Sequence, residues 1–227
     1  PIEDMKPGDN GAACGTYGGE GAPRRLVACV LPDKVSRHNS PTRSEALFAT
    51  LPGTGFAGKK SAVVVHVACA EHVLGAAVAV ARCMPLFDAK SSANGAKTKP
   101  VVQLVFALGD GSVVKADKVV QETFDAVRLA ARLVDMPTQD LTTADFEKEA
   151  RAAVKGVAGV KVTSIVGDAL LKKGLGGLHA VGRTAMVAPR LLVLEHGAKK
   201  KGGRTIGLVG KGLVYDTGGL SLKVGGS

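Results

Sequence analysis

The chain has 227 residues, which is long enough for one large domain or two small ones. Of these residues 45% are hydrophobic, 4% are aromatic and none is tryptophan, and this hydrophobic content is sufficient for a folded core. No apolar run reaches the roughly 18–20 residues of a membrane-spanning helix, and we expect no membrane association. The formal net charge of +10 comes from basic residues that are scattered, apart from the lysines at 199–201, and that lack an aromatic platform, so we expect no dedicated nucleic-acid partner.

The first half of the chain is predicted to form a small α/β domain over residues 23–117. A glycine-rich, polar segment at 1–22 precedes it, and we expect that segment to be flexible. Continuous apolar runs predict buried strands, and apolar residues at intervals of three and four predict helices. The predicted strands are 26–31, 61–68 and 101–108, and the predicted helices are 44–51 and 72–84.

A long helix is predicted to join this domain to a second one. Its apolar spacing runs over 113–134, and residues 118–137 are assigned as the linking helix that Pro137 ends. The second domain, 138–227, opens at Thr142 or Thr143, either of which is suited to cap a helix running to Lys155. A strand at 160–166, a helix at 168–175 and strands at 191–195 and 205–209 follow. This alternation implies a mostly parallel sheet.

The chain termini and cysteines bear on the compartment. The N-terminal segment has no apolar core of the kind found in a signal peptide, and the chain begins without an initiator methionine, so we expect residues before Pro1 and leave organellar targeting open. The four cysteines, Cys14, Cys29, Cys69 and Cys83, have no metal-binding spacing. We interpret them as buried free thiols of a reducing compartment and expect a cytoplasmic protein.

The stretch at 209–223, VGKGLVYDTGGLSLK, concentrates the charged groups of a potential site. Lys211, Asp216 and Lys223 are its only charged residues, and they lie among glycines and aliphatic residues after a predicted buried strand. A carboxylate in such an apolar loop requires a cation beside it. From the residues alone, that cation is either one of the two lysines, in a structural ion pair, or a metal ion.

The same stretch resembles the metal-site signature of the M17 leucyl aminopeptidase (cytosol aminopeptidase) family. Residues 128–137 (RLAARLVDMP), 175–182 (LGGLHAVG) and 189–194 (PRLLVL) are similar to other segments of that family's catalytic domain. Residues 31–41 (LPDKVSRHNSP) and the YDTGG at 215–219 resemble its NPEPL-like branch of probable aminopeptidases. The resemblance covers about residues 24–223.

The resemblance implies specific roles for the three charged residues. Lys211 would be a metal ligand through its neutral amine, Asp216 would bridge two divalent metal ions, and Lys223 would be the catalytic residue that polarises the scissile carbonyl or stabilises the oxyanion. It also implies two-metal-dependent removal of leucine-like N-terminal residues from peptides, with zinc, manganese, magnesium or cobalt. The implied assembly is a homohexamer.

The implied fold is a small, macro-like N-terminal α/β domain, joined by the long helix to the start of a mixed, mostly parallel α/β metallopeptidase domain. In the family, further carboxylate ligands and the arginine of a bicarbonate site follow the signature, and the chain ends at Ser227 before any of them. We therefore expect a fragment that carries part of the site. The alternatives are a processed piece whose remainder is a separate chain, and a truncated, inactive paralogue that acts as a structural subunit.

Overall fold

A computed structural model describes residues 3–8, 10–20, 23–58, 60–84, 86–87, 101–197 and 203–214. The chain divides into two compact units, Pro1–Arg132 and Leu133–Ser227. No helix in the described ranges is long and apolar enough to cross a membrane.

The first unit contains two separate sheets. Strand β1 (Ala12–Tyr17) pairs antiparallel with β2 (Arg25–Val30), so the expectation of a flexible lead-in is wrong for this part of 1–22. Pairing with β2, the next strand along the chain, stabilises this strand, and local composition does not reveal such pairing. In the second sheet, β3 (Ser61–His66) runs parallel to β4 (Val102–Ala107), which pairs antiparallel with β5 (Val113–Val114).

Three helices accompany these strands: α1 (Ser44–Thr50), α2 (Val73–Arg82) and α3 (Lys118–Asp135). The helical apolar spacing begins at Val113, but Val113 and Val114 form β5, and α3 starts at Lys118, where the linking helix was assigned. Asp117 marks the true start, since its Oδ1 accepts a hydrogen bond from the Val120 N–H at 2.8 Å.

The core of the first unit lies between α2 and the β3–β4 pair. Ala76 and Val80 of α2 are fully buried and belong to one apolar cluster with Val65 and Phe106 of the strands. Cys83 follows α2 and is also buried, and its Sγ lies 3.2 Å from the Ala79 carbonyl oxygen. Burial raises the pKa of the Cys83 thiol to about 11.

The second unit begins with α4 (Thr143–Ala153) and β6 (Val160–Val166), continues through α5 (Asp168–Lys172) and α6 (Gly176–Gly182), and returns in β7 (Arg190–His196). The single helix predicted over 168–175 ends at Lys172, and Gly174, with φ of 76°, separates it from α6. Gly176 and Gly177, which directly follow the predicted helix, begin α6.

The α/β class with a small N-terminal domain is confirmed, and the sheets are mixed. Of the described pairings only β3–β4 is parallel, and β6–β7 is antiparallel where the strand–helix–strand order favoured parallel pairing. The Gly167 N–H donates to the Pro189 carbonyl at 2.9 Å, so the connection begins and ends at the same end of the sheet.

The segment 203–214 has no regular secondary structure, so the strand predicted at 205–209 is not formed. Its apolar side chains are exposed: Ile206 retains 84% of its accessible surface and Leu208 retains 93%. The apolar run identified the segment, but a strand requires a hydrogen-bonded partner.

Candidate metal centre

Of the three residues predicted to form a metal site, the structure describes one. Lys211 lies in the segment 203–214, whereas Asp216 and Lys223 lie outside the described residues. The grouping of these three side chains therefore stays a prediction from the sequence.

Lys211 is placed where its amine is accessible. The side chain is exposed, and it makes no ion pair with another described residue. Gly210 and Gly212 flank it, and a Cβ added to either would meet no atom within 4 Å. The amine is thus uncommitted in the described part of the chain, and this fits a lysine that is available to a metal ion.

A hydrogen-bond network around Glu147, which the sequence did not predict, joins α4 to β6 and β7 in the unit that carries Lys211. Glu147 of α4 accepts hydrogen bonds at Oε2 from Arg190 of β7 (2.6 Å) and Ser164 of β6 (2.9 Å), and at Oε1 from Arg151 (2.8 Å). These donors, Arg151 foremost, lower the pKa of Glu147 to about 2 despite the opposing effect of desolvation. The spacing of Glu147 and Arg151, four residues apart on a helix, is the one signal for this network in the sequence.

A second set of contacts fixes the start of α4. Thr142 is its N-cap and forms a capping box with Asp145, which confirms one of the two predicted cap positions. The hydrogen bonds from Thr142 lower the pKa of Asp145. The neighbouring Thr143 donates from Oγ1 to the carbonyl of Ala188 at 2.8 Å, so α4 is tied to the approach to β7.

No competing metal site is present in the described ranges, which contain no group of three or more His, Cys, Asp or Glu side chains able to hold an ion. His179 lies 3.1 Å from Oδ1 of Asp168, an interaction of a single pair on the surface of α5 and α6. All four cysteines are free thiols, but the prediction that they are buried is correct only for Cys83, because Cys14, Cys29 and Cys69 are half-buried.

Two family models match the chain and together account for both units. The model of the cytosol aminopeptidase family catalytic domain matches residues 128–227. The model of the M17 aminopeptidase N-terminal domain 2 matches residues 17–93.

The chain belongs to the M17 aminopeptidase family. Among curated M17 relatives, the probable aminopeptidase NPEPL1 of Homo sapiens is 39% identical over 202 residues, which are 87% of this chain and 38% of the human protein. The leucine aminopeptidase 1 of Caenorhabditis elegans is 35% identical over 204 residues, again 38% of its length. The chain thus spans less than half the length of these relatives.

Solved M17 structures share the fold. An M17 aminopeptidase from Trypanosoma brucei superposes with a TM-score of 0.75 at 32% identity, covering 98% of this chain and 44% of that protein. A leucyl aminopeptidase from Trypanosoma brucei in complex with bestatin superposes with a TM-score of 0.62 at 29% identity, covering 85% of this chain and 38% of that protein.

Proposed function

We propose that this chain carries the first part of the active site of a two-metal-dependent aminopeptidase, which removes leucine-like residues from the N-termini of peptides. One observation carries the proposal: the match to the M17 catalytic domain spans 128–227, a range that includes Lys211, Asp216 and Lys223. The relatives named as leucine aminopeptidases and the inhibitor complex of the trypanosomal enzyme support the peptidase class.

Each of the three side chains has a distinct task in this proposal. Asp216 would hold two divalent ions through its carboxylate, and Lys211 would bind one of them through its uncharged amine. A lysine amine binds a metal only in its uncharged form, which a bound metal ion favours. Lys223 would stabilise the negative charge that develops on the scissile carbonyl oxygen.

The ligand types that Lys211 and Asp216 would supply are suited to a divalent metal ion. An amine and a carboxylate suit zinc, manganese, cobalt or magnesium without selecting among them, and the exposed amine of Lys211 has no described ion-pair partner. When bound, the ions supply Lewis acidity that polarises the carbonyl and acidifies the attacking water. Two ions need more carboxylates than Asp216 alone, so we propose that further ligands and a bicarbonate site lie outside this segment. We also propose a cytoplasmic homohexamer.

Metal binding by the native protein tests the assignment of Asp216. With Mn²⁺ as the probe, titration calorimetry and elemental analysis should find two bound ions, and Asp216→Ala should lose both. Asp140→Ala removes an exposed carboxylate elsewhere in the second unit and should retain both ions. Two ions still bound to Asp216→Ala would contradict the proposed bridge.

Turnover separates the two lysines. Lys223→Ala should lower the hydrolysis of leucine amide while leaving the metal content almost unchanged, whereas Lys211→Met should lower both. Lys155→Met, which removes an exposed lysine beyond α4, is the matched control and should change neither. A metal-loaded native protein that does not hydrolyse leucine amide would favour the structural-subunit alternative.

A further inference from the structure

The first unit contains a cleft that the proposed peptidase site does not use. The cleft has a volume of about 200 Å³ and lies beyond the carboxyl end of β3. Its walls include His66 at the end of β3, Leu31 after β2, Thr42 and Arg43 before α1, and His72 before α2. In α/β sheets, ligands commonly bind in the crevice outside the carboxyl ends of the strands. We call this feature the β3 cleft.

Arg43 is the unusual residue in the wall of the β3 cleft. Among the described residues it is the only buried charged side chain, with 5% of its surface exposed, and the only non-glycine residue with a positive φ, at 49°. A left-handed backbone is strained in a residue with a side chain, because its Cβ comes too close to the following carbonyl oxygen. Such strain persists where the surrounding structure enforces it, and it is concentrated at binding sites.

Hydrogen bonds hold the Arg43 guanidinium in one place. Its Nη1 donates to the Lys34 carbonyl oxygen at 2.7 Å and its Nε donates to the Glu45 carboxylate. The Glu45 side chain is 53% exposed, so water screens its charge more than that of the buried guanidinium. The cation is therefore fixed at the wall before any ligand arrives.

The polar lining of the β3 cleft consists of hydrogen-bond donors. Arg43 supplies a guanidinium, His66 and His72 each donate an N–H in either protonation state, and Thr42 supplies a hydroxyl. No aspartate or glutamate lines the cleft, and the remaining lining residues are apolar. The nearby Glu71 is engaged by the Cys69 thiol. This combination favours a small oxyanion over a cation or a neutral ligand.

The available space sets the size of that ligand. A water molecule occupies about 30 Å³ of liquid, so the β3 cleft has room for a carboxylate or phosphate group and a few more atoms. An adjoining cavity of about 460 Å³ shares Pro32 and Arg43 with it and includes Asp33, Lys34 and Asn39. An organic group attached to the anchored oxyanion would have space there.

We propose that the β3 cleft binds the carboxylate or phosphate group of a small molecule, with Arg43, His66 and His72 as the recognising side chains. The cleft lies within the first unit, so binding there does not depend on the proposed peptidase function.

Histidine ring resonances of the whole chain provide the test, because the chain has only five histidines. At constant pH, inorganic phosphate or acetate should shift the ring signals of His66 and His72 with saturation, and should leave those of His38, His179 and His196 in place. Saturation by phosphate alone or by acetate alone would identify which oxyanion the cleft accepts. Sodium chloride at matched ionic strength should have no such effect.

Single variants assign the signals and test the contacts. His66→Phe and His72→Phe should each weaken binding roughly tenfold, because phenylalanine has no donor and one hydrogen bond to a charged group is lost. His38→Phe, at an exposed histidine of the same unit outside the cleft, should bind like the parent chain. Shifts without saturation, equal shifts at all five histidines, or the same response to chloride would overturn the proposal.

Discussion

Arg190 of β7 donates a hydrogen bond from Nη1 to Oε2 of Glu147 on α4, at 2.6 Å, with 17% and 12% of the two side chains exposed. The Arg190 Nε is buried without a partner among the described residues, so the guanidinium depends on Glu147 for its counter-charge. This contact joins the helix that opens the second unit to the strand that precedes Lys211.

Replacing Glu147 by glutamine should therefore destabilise the second unit. We expect a loss of about 2–3 kcal/mol in the free energy of unfolding, because Arg190 and Arg151 would lose the carboxylate that compensates their charges. Urea denaturation followed by circular dichroism measures it. The control is Glu195→Gln, whose exposed pair with Lys161 at 3.8 Å should contribute less than about 1 kcal/mol. Equal losses in both variants would contradict the role assigned to Glu147.

The same carboxylate should make stability depend on pH. The pKa of Glu147 falls from 4.5 to about 2 on folding, so the folded state favours the ionised form. Its contribution is complete above pH 4.5 and is lost as the pH falls towards 2. Comparing denaturation midpoints of the parent and Glu147→Gln across this range isolates the effect, since glutamine does not titrate. A difference between them that stayed constant with pH would show that Glu147 is not the titrating group.

Gly182, at the end of α6, should tolerate no side chain. A Cβ at this position would lie 2.4 Å from the Cβ of Pro189, far inside van der Waals contact. Gly182→Ala should lower stability by about 1–3 kcal/mol through overpacking. Gly177→Ala in the same helix is the matched control, because its Cβ would meet no atom within 4 Å and alanine favours the helix. Thermal unfolding of both variants should show opposite signs.

The capping box of α4 gives another quantitative expectation. Thr142→Ala removes the side-chain acceptor of the Asp145 N–H and should cost about 1 kcal/mol. Thr142→Ser keeps the hydroxyl and should restore most of that stability. If serine and alanine destabilise equally in chemical denaturation, the contribution of Thr142 is methyl packing and not capping.

Local signals in the sequence located most elements but not their pairing. The bounds of β6 at 160–166 followed from an apolar run, and cap chemistry reduced the start of α4 to two candidates, of which Thr142 is the cap. Strand β1 and the antiparallel return of β7 were not predicted, because each depends on how two strands pair, which local composition does not specify. The strand expected at 205–209 shows the converse, since its composition is suitable but the described structure offers it no partner strand.

The candidate centre was visible in the sequence as three charges in an apolar loop, and of these the structure describes Lys211 alone. The network of Glu147 was not predicted because Arg190, which links it to β7, is 43 positions away. Arg43 was overlooked because neither its burial nor its left-handed backbone has a sequence pattern.

The burial of the Cys83 thiol determines how the first unit reacts with alkylating and oxidising agents. A sulfur that ionises only near pH 11 is a poor nucleophile at neutral pH, so alkylating agents and peroxides reach it when the end of α2 comes away from the core. The rate at which this cysteine is modified therefore measures how often the native fold opens locally. It reports local unfolding at α2, the helix that packs on the sheet of β3, β4 and β5.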